Sequence, residues 1–135
     1  MKKTVIVFLL GFTFLGCSDK KEQEKAVLDA VIKQHDKVMD ADEQLMKNKM
    51  LLDTLVKHST AGEKDSAAYY LKLLNNADDA MGDWMHKFNP DQSGKSHEEI
   101  MSYLEAQKKL VATIDSQVNN AVKTSGKYLL KVKSK

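Results

Sequence analysis

The chain has 135 residues, 21 of them basic and 19 acidic, and no arginine. That length makes one domain, and without a guanidinium the chain lacks the planar two-point donor that suits phosphate and carboxylate groups. A nearly balanced, arginine-free chain is poorly suited to a polyanion, so nucleic acid is not an expected partner.

The front of the chain reads as a signal peptide over residues 1–16. Met1-Lys2-Lys3 is a short basic start, Thr4 to Phe14 is an apolar run, and Gly16-Cys17 closes it. The run is too short to remain as a membrane-spanning anchor. Cys17 is the single cysteine, so no internal disulfide is available to it. Phe14-Leu15-Gly16-Cys17 resembles a bacterial lipobox. The resemblance implies cleavage before Cys17 and acylation of its thiol and new amino group; two or more chains suffice for stable attachment. The other reading is an ordinary secretory signal that leaves Cys17 a free thiol. Cleavage would remove Lys2 and Lys3 and no acid, leaving the mature chain formally neutral. The expected partner is thus a membrane, met through an N-terminal lipid, and the expected address is a bacterial cell envelope, at the outer membrane.

Residues 17–23 read as a polar tether and 24–132 as an all-α domain, an antiparallel three-helix bundle with a long first helix. The first predicted helix runs from Glu22 to His58, about 55 Å at 1.5 Å per residue. Leu28, Val31, Val38, Leu45, Leu52 and Val56 recur at the spacing of one helical stripe. Set into it at intervals of seven are His35, Asp42 and Lys49. Thr60 with Glu63 has capping-box spacing and predicts the start of a second helix that runs to Phe88. Its inner stripe is Ala67, Leu71, Leu74, Asp78, Met81, Met85 and Phe88, with Tyr70 and Trp84 flanking. Asn89-Pro90-Asp91 ends it, since proline lacks the amide that a helix needs. Ser96 with Glu99 is a second capping box, and a third helix follows with Ile100, Met101, Leu104, Lys108, Val111, Asp115, Val118, Val122 and Leu129 as its stripe. Gly126 is a place for that helix to fray.

Short connections make sequential helices antiparallel neighbours. Turns centred near Thr60 and Gln92 set the expected heights. His35 and Met39 come level with Met81 and Met85, and these with His97 and Met101. Asp42, Asp78 and Lys108 fall together, and Lys49 lies near Asp115, so each buried carboxylate has an ammonium at its own height. Before Gln34 the first helix should project as a stalk, and beyond Ser125 the third should overhang.

Every methionine except Met1 has a Met or His partner four residues away: His35 with Met39, Met46 with Met50, Met81 with Met85, His97 with Met101. Thioether and imidazole are ligands that prefer copper(I), and spacing by four puts both donors on one helical face. The same residues fit a plain core reading, because methionine fills irregular helical interiors at the same spacing. Asp42, Asp78, Lys108, Lys49 and Asp115 read as a structural polar layer that sets register. Asp83 and His86 have the spacing of a di-iron ligand pair, but occur once and face outward. No catalytic residue is assigned. From Lys123 onward five lysines occur without an acid, which suits a helix C-terminus and could also meet an anionic surface.

At His35-Asp36-Lys37-Val38-Met39, at Ala77-Asp78-Asp79-Ala80-Met81-Gly82-Asp83-Trp84-Met85-His86-Lys87-Phe88-Asn89-Pro90 and near Tyr103-Leu104, the chain resembles a group of small bacterial lipoproteins that carry the label "viral A-type inclusion protein". The resemblance implies a lipid anchor and a helical body, and brings no activity with it. The expected function is a non-enzymatic structural or interaction module; the alternative is a copper(I)-binding protein with no other cofactor, using His35, Met39, Met81, Met85, Met101 and, at the edge, His97.

Overall fold

The computed structural model describes the backbone of residues 16–134 and the side chains of residues 19–134. The expected signal peptide and the Cys17 side chain that would carry lipid lie outside the described residues. Four helices follow in order: α1 (Gly16–Met39), α2 (Asp42–His58), α3 (Ala61–Lys87) and α4 (His97–Lys133). Among the described residues there is no strand.

The three-helix bundle is present, with α1 and α2 together forming its first arm. The expected unbroken helix from Glu22 to His58 is corrected at Asp40–Ala41. There the Ala41 amide donates to Val38 O at 3.0 Å, three residues back instead of four, and the regular ladder resumes from Leu45 to Ala41. This tightened turn redirects the arm without proline or glycine. α1 then lies along α4, whereas α2 lies against both α3 and α4. The bend has a packing reason: Val31, Val38, Leu45 and Leu52 all remain buried although their helices face different neighbours.

The turn from α2 to α3 takes only Ser59 and Thr60. Thr60 occupies the N-cap position with extended backbone, but its side chain makes no capping bond, so the expected Thr60–Glu63 box is not formed there. The Ser96–Glu99 box does form. The Ser96 amide donates to the Glu99 carboxylate at 2.8 Å and the Glu99 amide donates to Ser96 Oγ at 3.3 Å. Gly126 causes no fraying, and α4 continues through it to Lys133.

The connection from α3 to α4 sets the register of the whole bundle. It is a knot of local bonds rather than a symmetric turn. Asp91 N donates to Asn89 Oδ1, Gln92 Nε2 donates to Asn89 O, and Gly94 takes φ +84, where a side chain would be strained. Tyr103 OH accepts from the Asn89 amide at 2.9 Å, and its ring stacks on Phe88 at 6.2 Å between centroids. The end of α3 therefore meets Tyr103, where the expected heights put Ser96. That shift of seven residues, about 10 Å of helix, carries the first two turns of α4 past α3 and along α1. The expected stalk is thus covered: Val31 is fully buried, His97 Nδ1 lies 2.8 Å from Glu24 Oε1, and Lys20 lies 3.6 Å from Glu98. The residues read as a tether already belong to α1. At the opposite end Tyr128 stacks on Tyr70 at 4.9 Å and donates to Glu63 O at 2.9 Å, so α4 is held well beyond Ser125.

The Ser96 amide, and then its hydroxyl, hold the Glu99 carboxyl below its ordinary range. A depressed carboxyl contributes stability that is present above its unfolded value and lost as pH falls through the folded one. Acidification below about pH 4 should therefore loosen the start of α4. Glu99→Gln keeps a reciprocal cap without that titration, so its melting temperature should fall less on acidification than that of the unmodified chain. Equal acid shifts in the two proteins would contradict the assignment.

Candidate functional site

The break at Asp40–Ala41 brings the end of α1 and the start of α2 against the C-terminal half of α3. His35 sits one turn before the break. Its Nε2 lies 3.4 Å from Met85 Sδ, its Nδ1 lies 3.2 Å from Asp36 Oδ1, and its ring lies 5.6 Å from that of Trp84. Beside this contact is a cavity of about 40 Å³ whose lining includes Met39, Met81, Met85, Asp42 and Asp78. Met81 is buried, whereas Met39 and Met85 are 39% and 45% exposed, so the cavity has donors within and at its mouth. Asp78 on its wall accepts from Lys49 Nζ through Oδ2 at 2.6 Å.

Four of the six soft-donor residues named from the sequence are thus gathered: His35, Met39, Met81 and Met85. His97 and Met101 are not. Lys37 donates to Asp115, which puts residues of α4 near Thr113 at the height of His35. Met101 lies about twelve residues before that, roughly 18 Å along the helix. The seven-residue slip at the α3–α4 connection is the cause, and it leaves His97 paired with Glu24.

The same slip moves the α4 members of the charged layer, Lys108 and Asp115, away from their expected partners, while Lys49 on α2 pairs with α3. Lys49 pairs with Asp78 instead of lying near Asp115, and Asp115 takes Lys37 at 2.8 Å together with Asn119 Nδ2 at 2.6 Å. Lys108, expected beside Asp42 and Asp78, is exposed and reaches Glu105 on its own helix at 3.4 Å. Asp42 is half-buried at the cavity with Asp78. A buried carboxylate needs a compensating cation or donors, and Asp115 finds both.

A polar contact that the stripes did not single out lies deeper. Asn48 is buried and donates to Ser125 Oγ at 2.8 Å and to Val122 O at 3.1 Å, while Gln44 Nε2 donates to Asn48 Oδ1 at 2.7 Å. Its place between Leu45 and Leu52, at +3 and −4, was the available signal. The bonds tie α2 to α4 at one register, because a slip would leave buried polar groups without partners.

Above Asn48, between α2 and the end of α4, runs an open groove of about 580 Å³. Leu51, Leu55, Leu129, Leu130 and Val132 line it, and Lys47 and Lys133 stand at its edges. Leu130 is 71% exposed, a large apolar side chain left largely uncovered among the described residues.

By fold and site the chain is an all-α three-arm bundle with a thioether–imidazole cluster at its bend and an apolar groove at its far end. Among the described residues no helix is long and apolar enough to cross a membrane, and no three His, Cys, Asp or Glu side chains come together as a metal site. No family model, curated protein or solved structure matches the chain.

Proposed function

We propose that this chain is a lipid-anchored, non-enzymatic interaction module of the bacterial cell envelope, at the outer membrane, that presents its apolar groove to a protein partner. The lipobox-like Phe14-Leu15-Gly16-Cys17 supports the anchor, and the likeness to small helical lipoproteins agrees with it. The observation that carries the interaction role is the groove between α2 and α4. It lies at the end of the first arm away from Cys17, some 34 residues on, about 50 Å of helix. A surface so placed faces away from the bilayer that the anchor would hold.

The groove's chemistry defines the occupant. Leucines at its base and Lys47 and Lys133 at its rim fit an amphipathic helix with an acidic flank, laid in by its apolar face. Lys123, Lys127 and Lys131 add positive charge to the same segment of α4, with no acid among them.

The test is made in cells. A photo-crosslinking residue at Leu130 should give a discrete adduct, and one at Tyr69, exposed on α3, should not. Lys47→Glu/Lys133→Glu should abolish the adduct, and the crosslinked peptide should be an acidic amphipathic segment. Cys17→Ser should abolish palmitate labelling and release the chain from the membrane fraction. A membrane-bound, unlabelled Cys17→Ser chain would overturn the anchor; an adduct indifferent to both charge reversals would overturn the groove's role.

A further inference from the structure

The contact between His35 and Met85 sets an imidazole nitrogen against a thioether sulfur. A carboxylate accepts hydrogen bonds, so the proton shared with Asp36 belongs to His35 Nδ1. In the neutral imidazole Nε2 then carries a lone pair. That lone pair faces the Met85 sulfur, also a lone-pair bearer, at 3.4 Å. Two donors of electron pairs gain little from each other across that distance, but both gain from a soft cation between them. The Asp36 contact is the arrangement that orients imidazole ligands at metal centres, where the far ring nitrogen donates to a carboxylate.

The distance suits such an ion. Bonds of about 2.0 Å to nitrogen and about 2.3 Å to sulfur, the lengths found at zinc, span the 3.4 Å separation at an angle of about 105°, near tetrahedral. Met39 and Met81 line the adjoining cavity with Met85, so two further thioethers stand beside the Met85 end of the contact. The cavity's roughly 40 Å³ exceeds the space a single small sphere needs. Asp42 and Asp78 on its wall offset the charge of a cation, and exposure of Met39 and Met85 gives it a way in.

We infer that His35, Met39, Met81 and Met85 form a copper(I) site at the bend of the first arm. A set of thioethers with one imidazole selects a soft monovalent ion over zinc, magnesium or calcium, which favour thiolate, imidazole or oxygen donors. The site depends neither on the lipid anchor nor on the groove. The other methionine pair, Met46 and Met50, has the same spacing but no histidine beside it and is largely exposed, Met50 at 66%.

The full chain in detergent micelles would be titrated against copper(I) held by a chromophoric bicinchoninate competitor. Silver(I), a redox-inert mimic, would be followed in parallel by the fluorescence of Trp84, the single tryptophan, whose ring lies 5.6 Å from His35. One equivalent of copper(I) should be withdrawn, and silver(I) should change the emission with the same stoichiometry. Met39→Leu/Met85→Leu nearly conserves volume and should keep the melting temperature, yet weaken binding by about 100-fold, the upper range for losses around metal sites. His35→Gln should weaken it comparably, and Met46→Leu/Met50→Leu should not. Failure of the unmodified chain to compete for copper(I) would overturn the site. So would equal losses in the two methionine pairs, or full affinity in Met39→Leu/Met85→Leu. Because Met39 and Met85 are partly exposed, the single Met85→Leu variant provides the same comparison should the double variant melt early.

Discussion

Trp84→Ala should be among the most costly single truncations in this bundle, removing about 3–5 kcal/mol from a fold whose total stability is on the order of 5–15 kcal/mol. Trp84 is only 5% exposed and connects three elements at once. Its ring stacks on Phe88 at 4.7 Å between centroids, approaches His35 at 5.6 Å, and its Nε1 donates to Gln107 Oε1 at 2.9 Å. Removing it leaves a void where the end of α1, the end of α3 and the middle of α4 meet, and strips His35 of the face that fixes its ring. Urea unfolding followed by circular dichroism gives the cost directly. Trp84→Phe separates packing from hydrogen bonding: Gln107 is half-buried and can turn to water, so the phenyl variant should recover most of the loss. A cost for Trp84→Ala below about 1 kcal/mol, the level of an ordinary surface change, would mean that these three helices do not depend on the indole.

Leu74→Ala should cost about 2–5 kcal/mol. Leu74 is fully buried in the core cluster, on the stretch of α3 that faces both α2 and α4. Met50→Ala on α2 removes a side chain of similar bulk that is 66% exposed, and should change stability by no more than about 0.5 kcal/mol. The comparison of the two unfolding midpoints is the measurement. Similar costs would show that the face assigned to the interior is wrong.

The buried faces were largely legible because burial imposes a period. Val31, Val38, Leu45 and Leu52 stand seven apart, and all four are interior. Periodicity places residues around a helix well enough to name a stripe, but its edge is less well defined. Trp84 was placed beside the inner stripe of α3 and Met85 on it, and their exposures are reversed. Met85 meets His35 and the small cavity beside Met39 and Asp42, and stays half-covered because the backbone of α1 packs along α4 rather than α3. Heights between helices were less legible still. They depend on how residues 88–96 fold, and the Asn89 and Tyr103 bonds that decide it link side chains to backbone across a turn. Hence His35, Met39, Met81 and Met85 came together as their positions in α1 and α3 implied, whereas His97 and Met101, which lie beyond that turn, did not. The bend at Asp40–Ala41 left no mark in composition, since its cause is the choice of neighbours for α1 and α2.

That bend has a mechanical consequence. Tension drawn from the N-terminal end enters α1, whose backbone packs chiefly along α4 and touches α3 only through side chains near its end such as His35, and meets α2 only after Ala41, where α3 and α4 both grip the chain. Peeling would halt at that point. The 24 residues of α1 would then give about 35 Å of slack at their helical length, while α2, α3 and α4 kept their mutual hold and the groove stayed whole.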